Sequence, residues 1–216
     1  MKNKLWKILI ILGILLILSA GALCIHNSRE DKQALKASQN VMNRIHEIIP
    51  EIKQAETPIK PESGGADEDL FAPFEEEKEP EIPTINIDDS VYCGFITLPS
   101  LGIELPVTIG WSYPSLKKTP GRYKGSVYND DLIIAAHNYG SHFGRINELV
   151  QDDEIWFTDA KGYRHYYTVQ YTEVIGGWDT DRMLAGNGSD WELTIYTCDY
   201  SGQNRIAVRA AKTQKD

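Results

Sequence analysis

Residues 191–209 read WELTIYTCDYSGQNRIAVR. Glu192 to Thr197 is rich in β-branched and aromatic residues, as is Ile206 to Val208, and Asp199, Ser201, Gly202 and Asn204 lie between them. That pattern predicts two β-strands joined by a short polar loop. Cys198 falls where the first strand meets the loop, and Arg205 opens the second. A fixed cation beside a thiol favours the thiolate, which is the nucleophilic form. Taken alone, the pair reads equally as a small buried hydrophobe and a surface charge.

Working outward, residues 85–216 carry the signature of an all-β domain. Segments 91–98, 103–109, 131–136, 153–158 and 163–174 alternate with turn formers such as Pro99-Ser100, Asn129-Asp130 and Lys161-Gly162. With the two C-terminal strands, this predicts a closed barrel or sandwich of seven to eight strands, closure being one way to protect sheet edges. Residues 143–149, with Ile146 and Leu149 at helical spacing, predict one short helix.

The N-terminal part is different. Lys2, Lys4 and Lys7 precede an uncharged apolar run, residues 8–25, long enough to cross a bilayer core. It is read as a retained anchor with the following chain exported, in preference to a cleaved signal, because the run exceeds the usual signal-peptide core. Cys24 does not fit a lipidation signal, since Leu23 is large where a small residue belongs. Residues 28–53 read as an exposed stalk helix beginning at Ser28, with His26 and His46 facing solvent.

Residues 54–84 are acidic and proline-interrupted, as expected of a self-repelling linker, and one apolar island at 70–74 (LFAPF) breaks the pattern. Much of the net charge of −9 resides there. No basic stripe follows the apolar run, which argues against nucleic-acid binding. The His and Cys residues do not fall at close zinc-site spacings, and Cys93 with Cys198 are too few for a disulfide scaffold.

His137 follows the apolar strand residues 132–136 and precedes Asn138-Tyr139-Gly140-Ser141, so it also stands at a strand end. A histidine there can exchange protons near neutral pH. His142 and His165 are weaker choices.

Thr194-Ile195-Tyr196-Thr197-Cys198 resembles the TLxTC signature of the sortase family. Ala136-His137-Asn138 resembles the family's histidine segment, and Arg205-Ile206-Ala207-Val208 its arginine-bearing last strand. Residues 94–107 resemble its first strands, so the likeness spans about 91–210, and the order His, Cys, Arg is the family's. Ile195 replaces the usual Leu, a volume-conserving change. The interval from Cys198 to Arg205 is short for the family; Arg209 shares its strand face and is the second choice, Val208 favouring Arg205.

The resemblance implies a sortase barrel and a cysteine transpeptidase without cofactor. Cys198 would attack the Thr carbonyl of an LPxTG-like signal on an exported protein, and a cell-wall or pilin amine would release the product. His137 would be the acid and base, Arg205 the oxyanion donor, and Thr197 and Asn138 would contact substrate. The histidine loop is similar to class B sortases, Thr119 to Tyr123 to other classes, and 70–74 is placed like the lid of pilin-polymerising members. Two other readings stay open on residues alone: a tethered β-domain that binds wall or protein ligands, and a cysteine peptidase that hydrolyses its acyl-enzyme.

Overall fold

The computed structural model describes residues 2–55, 81–184 and 190–214. A single helix, α1 (Lys2–Ile48), carries the apolar run and continues without a break at Ser28. No proline interrupts it before Pro50, so nothing in the backbone requires a new start at the capping serine.

Ten strands follow among the described residues: β1 (Lys53–Gln54), β2 (Ile85–Ile87), β3 (Ser90–Leu98), β4 (Ile103–Thr108), β5 (Gly121–Lys124), β6 (Leu132–Ala135), β7 (Glu154–Asp159), β8 (Tyr163–Gly176), β9 (Leu193–Cys198) and β10 (Asn204–Thr213). A one-turn helix, α2 (Tyr113–Leu116), lies between β4 and β5, capped by Ser112. Eight strands close a ring in the order β8-β10-β9-β6-β5-β4-β3-β7, β7 pairing with both β3 and β8. β1 and β2 flank the ring on β8 and β3.

Closure depends on Gly94, where β3 pairs with β4 on one side and β7 on the other. Its φ is 150°, and a Cβ there would lie 2.1 Å from the Thr158 carbonyl oxygen. Only glycine admits that approach. The expected barrel is therefore present. β2 and β5 had no strand signal of their own, and residues 143–149 form turns and a 3₁₀ segment, Ile146–Glu148, in place of an α-helix. The barrel interior is filled by residues such as Ile96, Leu105, Ile134, Phe143, Ile195 and Val208.

The exposed stalk needs correction. Ala34, Ser38, Met42, Ile45 and Ile49 recur every three or four residues on one face of α1 and its end, and all are buried. Met42, Ile45 and Ile49 pack on Ile85, Ile87, Tyr92 and Phe95 of β2 and β3. The partner surface lies some forty residues away across the acidic segment, so local periodicity could not identify it. His26 and His46 are both exposed as expected, and His46 also sits edge-on to Phe95 and 3.1 Å from Glu104. Ile45 is fully buried at this contact. Ile45→Ala should lower the unfolding free energy of the detergent-solubilised chain by about 2–5 kcal/mol, seen as an earlier denaturant midpoint.

All three cysteines are free. Cys93 is buried, its thiol directed at the Val107 and Thr108 carbonyls, and burial pushes its pKa up to about 12. It is a core residue. The apolar island at 70–74 lies outside the described residues.

Candidate active site

β6 and β9 are parallel neighbours, with Ala135 opposite Tyr196. Continuing that register by two residues leads to His137 beyond β6 and to Cys198 at the end of β9, so both leave the sheet at the same end of the barrel. β10 runs antiparallel to β9 and places Arg205 directly opposite Cys198. Residues paired across a sheet share a face. A cleft of about 200 Å³ opens there, with Cys198, Arg205, Tyr196, Trp111, Tyr113 and Tyr123 among its lining. Its far wall is the segment after β8, where Thr180 and Met183 also line the cleft.

Tyr196 is two residues from Cys198 and therefore on the same strand face. That alternation was readable in the sequence, although nothing singled Tyr196 out. Its ring lies edge-on to Tyr123, whose ring lies 5.6 Å from Trp111. The aromatic wall beside the thiol is thus assembled from three separate segments, and only folding reveals it.

Thr197 faces the other way. It is buried, and its hydroxyl donates to the Ala136 carbonyl at 2.9 Å. The side chain therefore ties the end of β9 to the residue before His137 and does not point into the cleft. A substrate contact through that hydroxyl is not what the geometry favours; a role in holding the two strand ends together is.

Arg205 and Arg209 are separated clearly. Arg205 directs Nη1 to the Gly202 and Asn204 carbonyls at 3.2 and 3.0 Å and lines the cleft. Arg209 is 0% exposed. Its Nε donates to Glu173 at 2.9 Å, Nη1 to Thr194 Oγ1 at 2.6 Å and to Met183 O at 3.2 Å, and Nη2 to the Arg182 carbonyl. The guanidinium also lies over the Trp191 ring. Arg209 thus pins the 3₁₀ segment Thr180–Met183, which forms the cleft's far wall, onto the sheet. Arg209→Ala leaves Glu173 its pairing with Arg182 but removes the buried donors to Thr194 and to the Met183 and Arg182 carbonyls, and should cost about 3 kcal/mol or more of stability, measured by denaturant unfolding of the detergent-solubilised chain.

His137 is half-buried, with its ring stacked on Tyr139 at 4.0 Å and 16°. Burial lowers its pKa, and Lys117 adds to the effect, while the Asn138 side chain and Glu30 oppose it. Glu30 arrives from α1: the Tyr139 hydroxyl donates to its carboxylate at 3.1 Å, and Lys117 stands 3.6 Å from it. Asp31 accepts from the Ser141 backbone N–H at 3.0 Å, and the Ser141 hydroxyl also donates to it. Ser38 bonds the Lys118 carbonyl and meets Nε2 of the buried His142. Nothing in the sequence pattern joined α1 to the histidine loop. Removing the Glu30 charge withdraws support for the imidazolium and leaves Lys117 unopposed. Glu30→Gln should therefore lower the His137 pKa further, read from the pH titration of its ring Cε1 proton by NMR.

The remaining histidines lie elsewhere. His142 is fully buried against Ser38, and burial pushes its pKa down to about 4. His165 is buried 3.6 Å from Asp159 on the wall of a second, larger cavity of about 580 Å³. That cavity contains neither Cys198, His137 nor Arg205 in its lining. Among the described residues, no group of three His, Cys, Asp or Glu side chains is arranged to hold a metal ion.

The model of the sortase domain matches residues 96–213. The chain belongs to the sortase family. Sortases are cysteine transpeptidases, and the domain is one. Among solved structures, a Clostridium perfringens sortase C with the C-terminal cell wall sorting motif is 25% identical, with a TM-score of 0.51 over 57% of this chain and 71% of that one. Sortase A from Corynebacterium diphtheriae is 22% identical, with a TM-score of 0.53 over 59% of this chain and 63% of that one. A Clostridium perfringens sortase D5 transpeptidase is also 22% identical, with a TM-score of 0.50 over 57% and 79% of the two chains. The likeness thus extends across classes A, C and D and is one of fold; the class B resemblance of the histidine loop has no counterpart among these three. No curated protein sequence matches the chain.

Proposed function

We propose that this sortase is anchored by residues 8–25 with its barrel on the outer face of the membrane, and that it cleaves an LPxTG-like sorting signal after Thr and transfers the exported protein to a cell-wall or pilin amine. Lys2, Lys4 and Lys7 before the apolar run favour a cytoplasmic N-terminus. The observation that carries the chemistry is the pairing of Cys198 with Arg205 across β9 and β10 in one cleft, at the strand ends where His137 also emerges.

The Cys198 thiolate attacks the Thr carbonyl carbon, and the electron pair moves onto the oxygen. Arg205 donates to that oxyanion, a charge present only on the way to and from the transition state, so the contact lowers the barrier without tightening the ground state. Collapse breaks the C–N bond, and His137 protonates the departing amine. The incoming amine then attacks the thioester carbonyl carbon and gives a proton to His137, and the C–S bond breaks to release the Cys198 thiolate and leave the new amide. The lowered His137 pKa suits the second step, because a neutral imidazole is the competent base. Asn138 steadies the imidazole through its side chain, and Thr197 holds the nucleophile's strand against the histidine segment. The aromatic wall formed by Trp111, Tyr123 and Tyr196 offers the apolar face that a Leu-Pro pair requires.

The test uses the detergent-solubilised full chain with a panel of sorting-signal peptides, with and without oligoglycine, a lysine amine or meso-diaminopimelate. A ligated mass in the presence of one amine supports transpeptidation. Cleavage that no amine diverts would instead indicate a peptidase.

A further inference from the structure

The route of α1 along the barrel fixes which end of the catalytic domain faces the bilayer. Its first contacts after the apolar run are Glu30 with Tyr139 and Asp31 with Ser141, in the loop that follows β6 at the cleft end. Ser38 comes next, at Lys118 and His142. Arg44 then reaches Asp88, and His46 reaches Glu104 near the start of β4. The opposite end of β4, Thr108, pairs with Gly121, which pairs with Ala135 at the cleft end. The helix therefore descends antiparallel to β4, away from the cleft. Glu30 is five helical steps beyond Ile25, a rise of about 7.5 Å, which is close to the thickness of one headgroup layer.

The same end carries two large side chains that touch almost nothing. Trp178 is 98% exposed and Tyr200 is 93% exposed. Trp178 follows the end of β8, Tyr200 lies in the turn between β9 and β10, and the two turns are tied by the Gly177 N–H to the Gln203 carbonyl at 2.9 Å. A tryptophan left wholly in water gains from moving its indole body into a half-apolar layer while its N–H stays wet. Asp179 and Asp199 adjoin the two ring residues in sequence, and Asp181 follows two positions on. They disfavour charge-driven attraction to an anionic surface, so any such contact is made by the rings.

We propose that Trp178 and Tyr200 seat in the headgroup layer of the bilayer that holds α1, so that the cleft opens at the membrane surface. This inference rests on residues 8–25 being a retained anchor. Two attachments, the helix on one side of the barrel and the aromatic rim on the other, then fix the tilt of the domain. A substrate chain emerging from the same bilayer meets Cys198 without first diffusing into solution.

The test places the full chain in phosphatidylcholine nanodiscs made with ordinary or brominated lipid. Emission from Trp178 is isolated as the difference between wild type and Trp178→Phe, and from Trp6 by Trp6→Phe. Trp178 emission should be blue-shifted, should lose most of its intensity in brominated lipid, and should be insensitive to salt. Trp178 emission at the wavelength of a water-exposed indole, unquenched by bromine, overturns the proposal if Trp6 is quenched in the same discs. Blue-shifted but unquenched emission means that the ring is covered by protein and not by lipid, and overturns it equally. If Trp6 also escapes quenching, the anchor reading itself has failed.

Discussion

Cys198→Ala should abolish cleavage and ligation of every sorting-signal peptide, a loss of roughly 10⁴-fold or more, while leaving the fold intact. Cys198 is only partly buried at the end of β9 and makes no core contact in the barrel interior, so alanine removes the nucleophile with little packing cost. Far-ultraviolet circular dichroism and the denaturant midpoint should match wild type. Cys93→Ala is the informative contrast. That thiol is buried with a pKa near 12 and lies in the core, so its loss should reduce stability and spare the chemistry. Activity that survives in Cys198→Ala but not in Cys93→Ala would reverse the assignment.

Arg205→Ala should lower kcat by about 10²–10³-fold with a much smaller change in KM, the pattern of a lost oxyanion donor. Its guanidinium is partly exposed and donates to the Gly202 and Asn204 carbonyls at its own turn, so the protein should remain folded. Arg205→Lys should restore little, because a point charge does not reproduce the planar donor fork. Steady-state kinetics of peptide cleavage separate this from Arg209→Ala, in which the loss of activity should track the loss of folded protein. A large rise in KM at constant kcat in Arg205→Ala would mean that Arg205 binds ground-state substrate only.

The strands around Cys198 were legible because β9 and β10 are close in sequence and their period-2 pattern is strong. The barrel followed from several such segments separated by turn formers. β5 was not legible, since Gly121 to Lys124 is held by its neighbours β4 and β6 and not by any alternation of its own. The two arginines share a face, and only burial of Arg209 against Glu173, Thr194 and Met183 distinguishes them. The family resemblance gave Thr197 a substrate role, whereas the alternation along β9 turns its side chain away from the face of Cys198. The least legible feature was the docking of α1. Its apolar stripe looked like an ordinary stalk, and the polar contacts of Glu30, Asp31 and Ser38 with the histidine loop join residues about a hundred positions apart. Pairing at that separation leaves no periodic trace in one sequence.

The proposed chemistry passes through a thioester on Cys198, read most directly from the intact mass of the chain after brief exposure to a sorting-signal peptide without amine. The expected result is an added mass equal to the peptide up to and including its Thr, mapped to Cys198 by proteolysis, discharged by an added amine and absent from Cys198→Ala. A folded protein that cleaves the peptide with no such adduct, or an adduct mapped to another residue, would contradict it.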